Sequence, residues 1–256
     1  MAGSWCAGLL RLLVSLKACY FFSLFVIPSH CQAIYVNISH EDIALDPELM
    51  DATSQPTLYL IRHGETDWNA RRLLQGRRDI PLNARGRSQA IASGVCLKWL
   101  VPAAAELDFI ASPLGRTRET MQIVRQQLGL PAEAFQTDDR LMEIDFGEWE
   151  GLGWEDIAQR DPQRYQARQA DPLNYTAPGG ENYPMVFERV GALLATLKRD
   201  TLLVAHAGVL RSCLALLGRA EPGEVPALEI PQDQVLVIRG SGFAWLSAST
   251  ALDAGR

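Results

Sequence analysis

Arginine and histidine side chains follow three separate apolar stretches of this chain, each at the point where the stretch ends. The first stretch runs directly into Arg62 and His63, the second is followed by Arg116, and the third runs into His206. A guanidinium group matches the oxygen atoms of a phosphate, and a neutral imidazole is a good nucleophile at physiological pH. These residue types predict chemistry on a phosphoryl group, provided that the fold brings the three stretches together.

The stretches themselves have the length and composition of buried β-strands. They cover residues 57–61, 107–111 and 201–205. Each is followed by a helical pattern, at residues 84–100, at residues 115–128 and beyond Gly208 to about Leu217. Residues 235–238 and 243–247 predict a further pair of strands joined by a Gly-Ser-Gly turn.

Strands that alternate with helices predict an α/β fold with a mostly parallel central sheet and helices on both faces, in three layers. Ligands of such sheets bind beyond the carboxyl ends of the strands. The sheet would therefore bring the arginines and histidines to one crevice. Residues 145–178 have weaker periodicity and many Trp, Gly, Asp and Pro residues. They predict a helical hairpin with loops that caps this end of the sheet, and not a second domain.

Each candidate residue also has an ordinary structural explanation. A histidine at the end of a strand is usually a hydrogen-bonded core or surface group, and Arg116 could be one solvated residue of the run Arg-Thr-Arg-Glu. Glu143 could be a surface carboxylate like the acidic residues near it. For any single residue, the ordinary structural explanation is the preferred one. It is improbable for all of these residues together at the ends of sheet strands.

Ordered sequence blocks make the assignment more specific. They are LIRHGETDWN, LLQGRRDIPLNARGRSQA, ASPLGRTRET, RLMEIDFGEWEG, APGGENYPMVFERV and LLVAHAGVLRS, within about residues 57–247. Together they resemble the histidine phosphatase superfamily, the phosphoglycerate mutase-like enzymes. The RHG motif alone is a weak signal, whereas the ordered blocks with compatible gaps are a strong one.

The resemblance implies a role for each matching residue. His63 would be the nucleophile that accepts the phosphoryl group as phosphohistidine, and Arg62, Arg116 and His206 would complete the phosphate pocket. Glu143 would donate a proton to the leaving oxygen. Residues that would contact the substrate beside the pocket are Asn69, Gln75, Gly76 and Ala207, the last of which is glycine in many relatives.

The physical chemistry of the implied roles needs no metal and no cofactor. The arginines and a protonated His206 would supply the positive field for the phosphoryl group. Gly64 would let the chain turn tightly and leave a carbonyl to hold one ring nitrogen of His63. Apolar neighbours of Glu143 would favour the neutral acid that a proton donor has to be.

The superfamily contains mutases, which return the phosphoryl group to a bound product, and phosphatases, which give it to water. Mutases typically carry a longer insertion with added basic residues after the catalytic glutamate. Here only a short, acidic and aromatic segment separates Glu143 from Gly179. The sequence therefore favours hydrolysis of a small phosphate monoester, as in the α-ribazole and broad-specificity phosphatases, over phosphoglycerate mutase-type transfer.

Two other classes of protein stay open. A non-catalytic protein could use the same pocket to bind a phosphorylated ligand, although a binder needs no proton donor such as Glu143. A metalloprotein could use histidine ligands, but the four histidines have no spacing that is typical of a metal site.

Two groups of side chains could set the substrate specificity. The first group could form an aromatic lid over the ester, or could simply pack the hairpin against the sheet, and consists of Trp149, Trp154 and Tyr165. The second group could bind a second anionic group of the substrate, or could simply be a solvated face, and consists of Arg71, Arg72, Arg77 and Arg78.

The composition bears on partners. The formal net charge is −6 over 256 residues, with acidic and basic residues interspersed, so no basic stripe points to nucleic acid. The five cysteines form no disulfide framework and no C-x-x-C motif. A small-molecule phosphate ester is the expected partner, and a homodimer is possible if residues 235–238 form an edge strand.

Residues 1–49 are interpreted as an N-terminal extension and residues 50–256 as the single histidine phosphatase domain. Met50 is the preferred start of the protein, and a cytoplasmic location is then expected. A signal or membrane anchor in residues 1–33 is the alternative, and it would lead to export or membrane attachment. Lys17 interrupts the apolar stretch and weakens the interpretation as a bilayer span.

Overall fold

A mixed sheet of six strands forms the centre of the fold in the computed structural model, which describes residues 55–248. The strands are β1 (Leu58–Arg62), β2 (Asp108–Ala111), β3 (Gln136–Thr137), β4 (Thr201–Ala205), β5 (Gln234–Arg239) and β6 (Gly242–Ser247). Their order across the sheet is β3-β2-β4-β1-β5-β6. The strands β3, β2, β4 and β1 are parallel to one another. Strand β5 is antiparallel to both of its neighbours, β1 and β6. The predicted mostly parallel α/β sheet is confirmed.

Seven α-helices lie within residues 55–248. They are α1 (Asp67–Ala70), α2 (Ala84–Leu100), α3 (Gly115–Gln127), α4 (Trp154–Arg160), α5 (Pro162–Ala170), α6 (Tyr183–Leu194) and α7 (Ala207–Leu216). Side chains of α2 and α3 pack on one face of the sheet, and side chains of α6 and α7 pack on the other. The three-layer arrangement is therefore confirmed as well.

The central strand β1 supplies both hydrophobic cores. Successive side chains of a strand point to opposite faces, so Leu60 packs with Val209 of α7, while Ile61 packs with Leu97 of α2. All four side chains are fully buried. A strand buried on both faces has a continuous apolar sequence, which is why the run LYLI was recognisable as a strand.

The register of the parallel strands aligns the residues that follow them. Arg62 is paired with Ala205, and the backbone N–H of His63 donates to the carbonyl of Ala205 at 2.9 Å. On the other side of β4, the backbone N–H of Ser112 donates to the carbonyl of Val204 at 3.0 Å. The chain therefore leaves β1, β2 and β4 at the same edge of the sheet.

Helix α6 has no counterpart in the sequence-based prediction. Its second residue is Pro184, which is usually a helix breaker but is favoured in the first turn, where no N–H is needed. The side chain of Asn182 caps the helix by accepting from the backbone N–H of Met185 at 3.1 Å. The sequence Asn-Tyr-Pro is therefore a signal for the start of a helix, and the hydrophobic periodicity of the sequence did not reveal it.

The predicted cap consists of α4 and α5. Asp161 is the single residue between the two helices. It packs through a small cluster of Trp149, Ile157 and Ala177 against Leu74 in the loop after β1. Two backbone hydrogen bonds fix this contact, from Leu74 to the carbonyl of Leu152 and from Gly151 to the carbonyl of Leu74. The cap therefore lies over the loop that follows the candidate nucleophile.

One expectation about the sheet is wrong. Residues 235–238 do not form an edge, because β5 pairs with β1 on one side and with β6 on the other. The edge strands are β3 and β6. Residues 1–49, with their interpretation as an extension, signal or anchor, lie outside the described residues. Among residues 55–248, the helices are too short or too polar to cross a bilayer.

Candidate active site

His63 stands directly after β1 and is almost fully buried, with 2% of its surface exposed. Its ring Nδ1 lies 2.8 Å from the carbonyl oxygen of Gly64. A carbonyl can only accept, so the hydrogen bond assigns the proton to Nδ1 and leaves the lone pair on Nε2. The expectation that the turn at Gly64 provides a carbonyl for this nitrogen is confirmed.

His206 is the residue between β4 and α7, and it is completely buried beside His63. The two ring centroids are 5.1 Å apart, with the rings edge to face. The Nε2 atom of His206 lies 2.9 Å from the hydroxyl oxygen of Ser112, which follows β2. Three strand ends therefore contribute to one cluster, as expected from the sequence.

Both imidazoles are neutral near pH 7 in this site. Burial lowers the pKa of His63 well below its ordinary value, and the charges of Arg116 and Arg62 lower it further. Burial and the charge of Arg116 likewise lower the pKa of His206. The arginines therefore disfavour a third positive charge on His206 in the absence of an anion, and a protonated His206 beside a bound phosphoryl group stays a prediction.

Arg116, in the first turn of α3, is fully buried although it carries a charge. Its Nη1 donates to the carbonyl of Arg78 at 2.6 Å, and its Nη2 donates to the carbonyl of Gly76 at 2.8 Å. The loop after α1 is held against α3 at a second point, where both carboxylate oxygens of Asp79 accept from the backbone N–H of Gly115 at 2.9 Å. These contacts fix the guanidinium plane before any ligand arrives.

Arg62, the last residue of β1, is held from the opposite side of the site. Its Nη1 donates to the carbonyl of Ile230 at 2.7 Å. Burial lowers the pKa of Arg62 to about 10, against the opposing effect of the Glu143 carboxylate, so its guanidinium stays charged at pH 7. The buried Nε atoms of Arg62 and Arg116 have no hydrogen-bond partner among residues 55–248. Buried donors of this kind are rare in folded proteins.

Glu143 reaches the same cluster from the loop before the cap. Its Oε1 accepts from the backbone N–H of Ile144 at 2.9 Å and from the backbone N–H of Gly208, in the first turn of α7, at 3.0 Å. Its charge acts on both Arg62 and Arg116. The structure therefore brings Glu143 together with the two histidines and the two arginines.

The remaining predicted residues lie beside this cluster. Asn69 and Thr66 form a reciprocal cap of α1, and the hydroxyl of Thr66 donates to the side-chain oxygen of Gln75 at 2.9 Å. Gly76 contributes the carbonyl that holds Arg116, and Ala207 begins α7 and packs against the core. The hydrogen bonds and packing contacts of these four predicted substrate-binding residues are made with other residues of the chain.

Gln232 is a site residue that sequence reasoning missed. Its side-chain Nε2 donates to the carbonyl of His63 at 3.0 Å and to the side-chain oxygen of Asn69 at 3.2 Å. It lies in the loop before β5, within the sequence IPQDQ, which matches no motif. The long sequence separation left no pattern from which this contact could have been found.

The aromatic and basic specificity candidates behave differently from one another. Trp149 is 4% exposed and stacks on Tyr175 with ring centroids 5.5 Å apart, so it packs the cap. The other two aromatic candidates, Trp154 and Tyr165, are partly buried, and their rings are tilted against each other with centroids 6.5 Å apart.

One of the four candidate arginines in the loop after α1 is held by a carboxylate, because Arg77 donates to Glu181 at 2.9 Å. The other three are exposed, namely Arg71, Arg72 and Arg78.

The arrangement as a whole brings an imidazole with a free lone pair, a carboxyl group and two fixed cations into one cluster. Such a set suits transfer of a group that carries negative charge on its oxygen atoms. Within the described part of the chain, no three or more His, Cys, Asp or Glu side chains are grouped so that they could hold a metal ion.

Comparisons with known proteins agree on one family. The family model of the histidine phosphatase superfamily (branch 1) matches residues 58–250. A protein named "Probable phosphoglycerate mutase GpmB" from Salmonella paratyphi C is 34% identical over 162 residues, which cover 61% of this chain and 72% of that protein.

Solved structures are similar in fold over most of their length. An Escherichia coli protein named provisionally as an alpha-ribazole-5'-P phosphatase has a TM-score of 0.63 and 27% identity, covering 75% of this chain and 95% of its own. A mycobacterial glucosyl-3-phosphoglycerate phosphatase has a TM-score of 0.60 and 27% identity, covering 75% and 96%.

Proposed function

The chain belongs to the histidine phosphatase superfamily (branch 1), and on that premise we propose that it hydrolyses a small phosphate monoester through a phosphohistidine intermediate. The observation that carries the proposal is the imidazole of His63. Its Nδ1 is bound to the carbonyl of Gly64 and its pKa is lowered, so Nε2 keeps a lone pair beside the charged guanidinium groups of Arg62 and Arg116.

The reaction has two steps in this proposal. In the first, the lone pair of His63 Nε2 forms a bond to phosphorus, the bond to the leaving oxygen breaks, and Glu143 gives that oxygen a proton. In the second, a water oxygen attacks the phosphohistidine, Glu143 takes a proton from the water, and the bond to Nε2 breaks. Arg62 and Arg116 stabilise the negative oxygens throughout.

His206 enters this scheme as a neutral group. The negative charge of a phosphoryl group favours the protonated imidazole, because an opposite charge within a few ångströms raises the pKa of a histidine. His206 would therefore take up a proton as the anion binds, and Ser112 holds its ring in place at 2.9 Å.

Hydrolysis is favoured over transfer by the segment after Glu143. Between Glu143 and Gly179, the chain forms two short α-helices, α4 and α5, and one 3-10 helix at Gly147–Trp149, besides loops and turns. The names of two structurally similar proteins also refer to phosphatases. Phosphoglycerate mutase-type transfer is the second candidate, and the name of the similar Salmonella protein favours it.

A panel of phosphate monoesters assayed with the purified full chain tests this function, with a phosphoglycerate isomerisation assay beside it. We expect release of inorganic phosphate, unchanged by a chelator, and no isomerisation. His63→Ala should abolish both the activity and the acid-labile phosphoenzyme that rapid quenching traps.

Other outcomes would identify the alternatives. Isomerisation without net phosphate release would replace hydrolysis by transfer. Tight binding of phosphate esters with neither reaction would mean a non-catalytic binder. Phosphoenzyme that persists in His63→Ala would exclude His63 as the acceptor.

A domain that starts near Met50 and a cytoplasmic location complete the proposal. Both rest on the interpretation of residues 1–49, and mass spectrometry of the native N-terminus tests them. A start at Met50 is expected, whereas a mature N-terminus near Ala33 would contradict both.

A further inference from the structure

A carboxylate outside the candidate active site is held by donors from three separate parts of the chain. Glu181 lies in the loop before α6, and its side chain is 11% exposed. Its Oε1 accepts from Nη2 of Arg77 at 2.9 Å. Arg189 on α6 contacts both carboxylate oxygens, with its Nε at 3.2 Å and its Nη2 at 3.0 Å. A largely buried charge is costly unless its partners satisfy it in this way.

The segment that carries Glu143 is held on both sides by this network. The Oε2 of Glu181 accepts from the backbone N–H of Asp145 at 3.2 Å, and the backbone N–H of Glu181 donates to the carbonyl of Asp145 at 2.8 Å. On the other side of Glu143, the Nη1 of Arg189 donates to the carbonyl of Arg140 at 2.6 Å. Glu143 lies between these two fixed points, so its position depends on them.

Two glycines allow the loop of Glu181 to lie directly against the loop of Asp145. A Cβ at Gly147 would be 2.1 Å from the carbonyl oxygen of Pro178, and a Cβ at Gly180 would be 2.3 Å from the carbonyl oxygen of Asp145. These distances are too short for any side chain, and Gly147 also has a positive φ of 51°. The sequence therefore permits a close contact of two backbones at this place.

The same carboxylate is connected to the loop that holds Arg116. Arg77 lies between the two residues whose carbonyls accept from Arg116, at 2.6 and 2.8 Å. The side chain of Arg77 is bound to Glu181 and is therefore engaged with the protein itself. Glu181 thus links the segment of Glu143 to the loop that fixes the guanidinium group of Arg116.

We propose that Glu181 is a positioning residue, which holds the carboxyl group of Glu143 in place relative to a phosphoryl group at Arg116. This inference deepens the proposed function and rests on it, because it takes Glu143 to be the proton donor. Glu181 acts through the backbone on either side of Glu143 and through Arg77. Loss of its carboxylate should therefore slow the protonation of the leaving oxygen more than any other part of the reaction.

The rate of phosphoenzyme formation from two esters, measured by rapid quenching, tests this role. Nitrophenolate leaves p-nitrophenyl phosphate without a proton, whereas the alkoxide of glycerol 3-phosphate needs one. We expect Glu181→Gln to lower the rate for glycerol 3-phosphate about tenfold or more, and the rate for p-nitrophenyl phosphate less than about threefold. In a Glu143→Gln background the same change should lower either rate less than about twofold, because its effect is exerted through Glu143.

A matched control and a second variant support this measurement. Glu119 on α3 is also paired with an arginine, Arg87 at 2.6 Å, but it lies outside the network, so Glu119→Gln should leave both rates unchanged. Arg77→Gln removes one donor and leaves Glu181 paired with Arg189, so it takes the place of Glu181→Gln if that variant does not fold. Arg77→Lys should restore part of the rate that Arg77→Gln loses.

Hydrogen exchange measured by NMR gives a result that does not depend on turnover. The backbone N–H groups of Ile144 and Gly208 both donate to Oε1 of Glu143, so their exchange rates report the position of this carboxylate. We expect exchange at both amides to be about tenfold faster in Glu181→Gln, while the amides of β4 stay unchanged.

The outcomes separate this proposal from the proposed function. Equal slowing of both esters, with unchanged exchange at Ile144 and Gly208, would show a purely structural role and overturn the proposal. Unchanged rates in Glu181→Gln would overturn it as well and leave the phosphatase in place. Faster exchange at both amides, in a protein that forms no phosphoenzyme from either ester, would support the positioning of Glu143 and contradict the phosphatase.

Discussion

At the scale of single residues, two imidazole groups, a carboxyl group and two guanidinium groups meet in one buried cluster, formed by Arg62, His63, Arg116, Glu143 and His206. The neutral state of His206 was not predictable, because it depends on complete burial next to Arg116, and burial is a property of the fold. Side-chain identity thus fixes the available chemistry, and the surroundings fix the protonation.

Replacement of Glu143 by Gln tests its proposed role as proton donor. The amide keeps the size of the side chain and an oxygen that can accept from Gly208, but it has no proton of suitable acidity to give. We expect kcat for an ester with a poor leaving group to fall by about 10²–10⁴-fold, while KM changes little. Steady-state kinetics with an alkyl phosphate measure this, and unchanged turnover would remove Glu143 from the mechanism.

Replacement of Gln232 by Glu tests the residue that the sequence did not reveal. A carboxylate cannot donate, so it would face the carbonyl of His63 and the side-chain oxygen of Asn69 with two unfavourable contacts. We expect the rate of phosphoenzyme formation to fall about tenfold or more, with thermal stability changed only slightly, and Gln232→Asn to retain part of the rate. The control is Asp233→Asn at the exposed neighbour, and equal effects of the two changes would contradict a positioning role.

At the scale of elements, strands were easier to predict than the segments between them. Strands buried on both faces have continuous apolar sequences, whereas α6 begins with a proline and the cap is built from two short helices. Contacts between loops have no periodic signature either. An example is the approach of α2 to the loop after β1, where Gly64 and Gly86 face each other across backbone contacts.

Gly86→Ala tests how closely α2 must approach the loop that carries His63, the candidate nucleophile. A Cβ at this position would collide with the backbone of Glu65, two residues after His63. The loop or the helix would have to move, so we expect a loss of about 1–3 kcal/mol in the free energy of unfolding and a clear decrease in kcat. Gly223→Ala is the matched control, because a Cβ there meets no atom within 4 Å. Urea unfolding and kinetics of both variants measure the difference.

At the scale of the whole molecule, the class of fold followed from the sequence but the order of strands did not. Alternation of strands and helices predicted a parallel sheet, and the final strand pair was found. The position of β5 inside the sheet could not be read from its sequence, because an inner strand and an edge strand with one covered face have the same apolar pattern. Family resemblance supplied the roles of the residues, while the register of β1 and β4 brings them together.

The two buried histidines make the stability of the whole molecule depend on pH. Their pKa values are lowered in the folded protein, so the unfolded chain binds protons first as the pH falls below about 6.5. The free energy of unfolding is therefore highest above this value and decreases on acidification. Between pH 7.5 and 5.5 we expect the free energy of unfolding to decrease, and both histidines should contribute to the loss.

The measurement is urea unfolding at both pH values, for the wild type and for the double variant His63→Asn/His206→Asn. The variant should lose most of this pH dependence, although its stability at pH 7.5 will differ for other reasons. Parallel pH profiles of the two proteins would show that the histidines do not titrate as proposed.

The position of β1 between β4 and β5 has a consequence for biosynthesis. On a translating ribosome, this strand emerges long before either of its hydrogen-bonding neighbours. Both of its edges therefore stay unpaired until β4 and β5 have been synthesised. A nascent chain released before β4 would expose a strand that is apolar on both faces. We therefore expect prematurely terminated products to aggregate or to be captured by chaperones, and the catalytic cluster to form only late in synthesis.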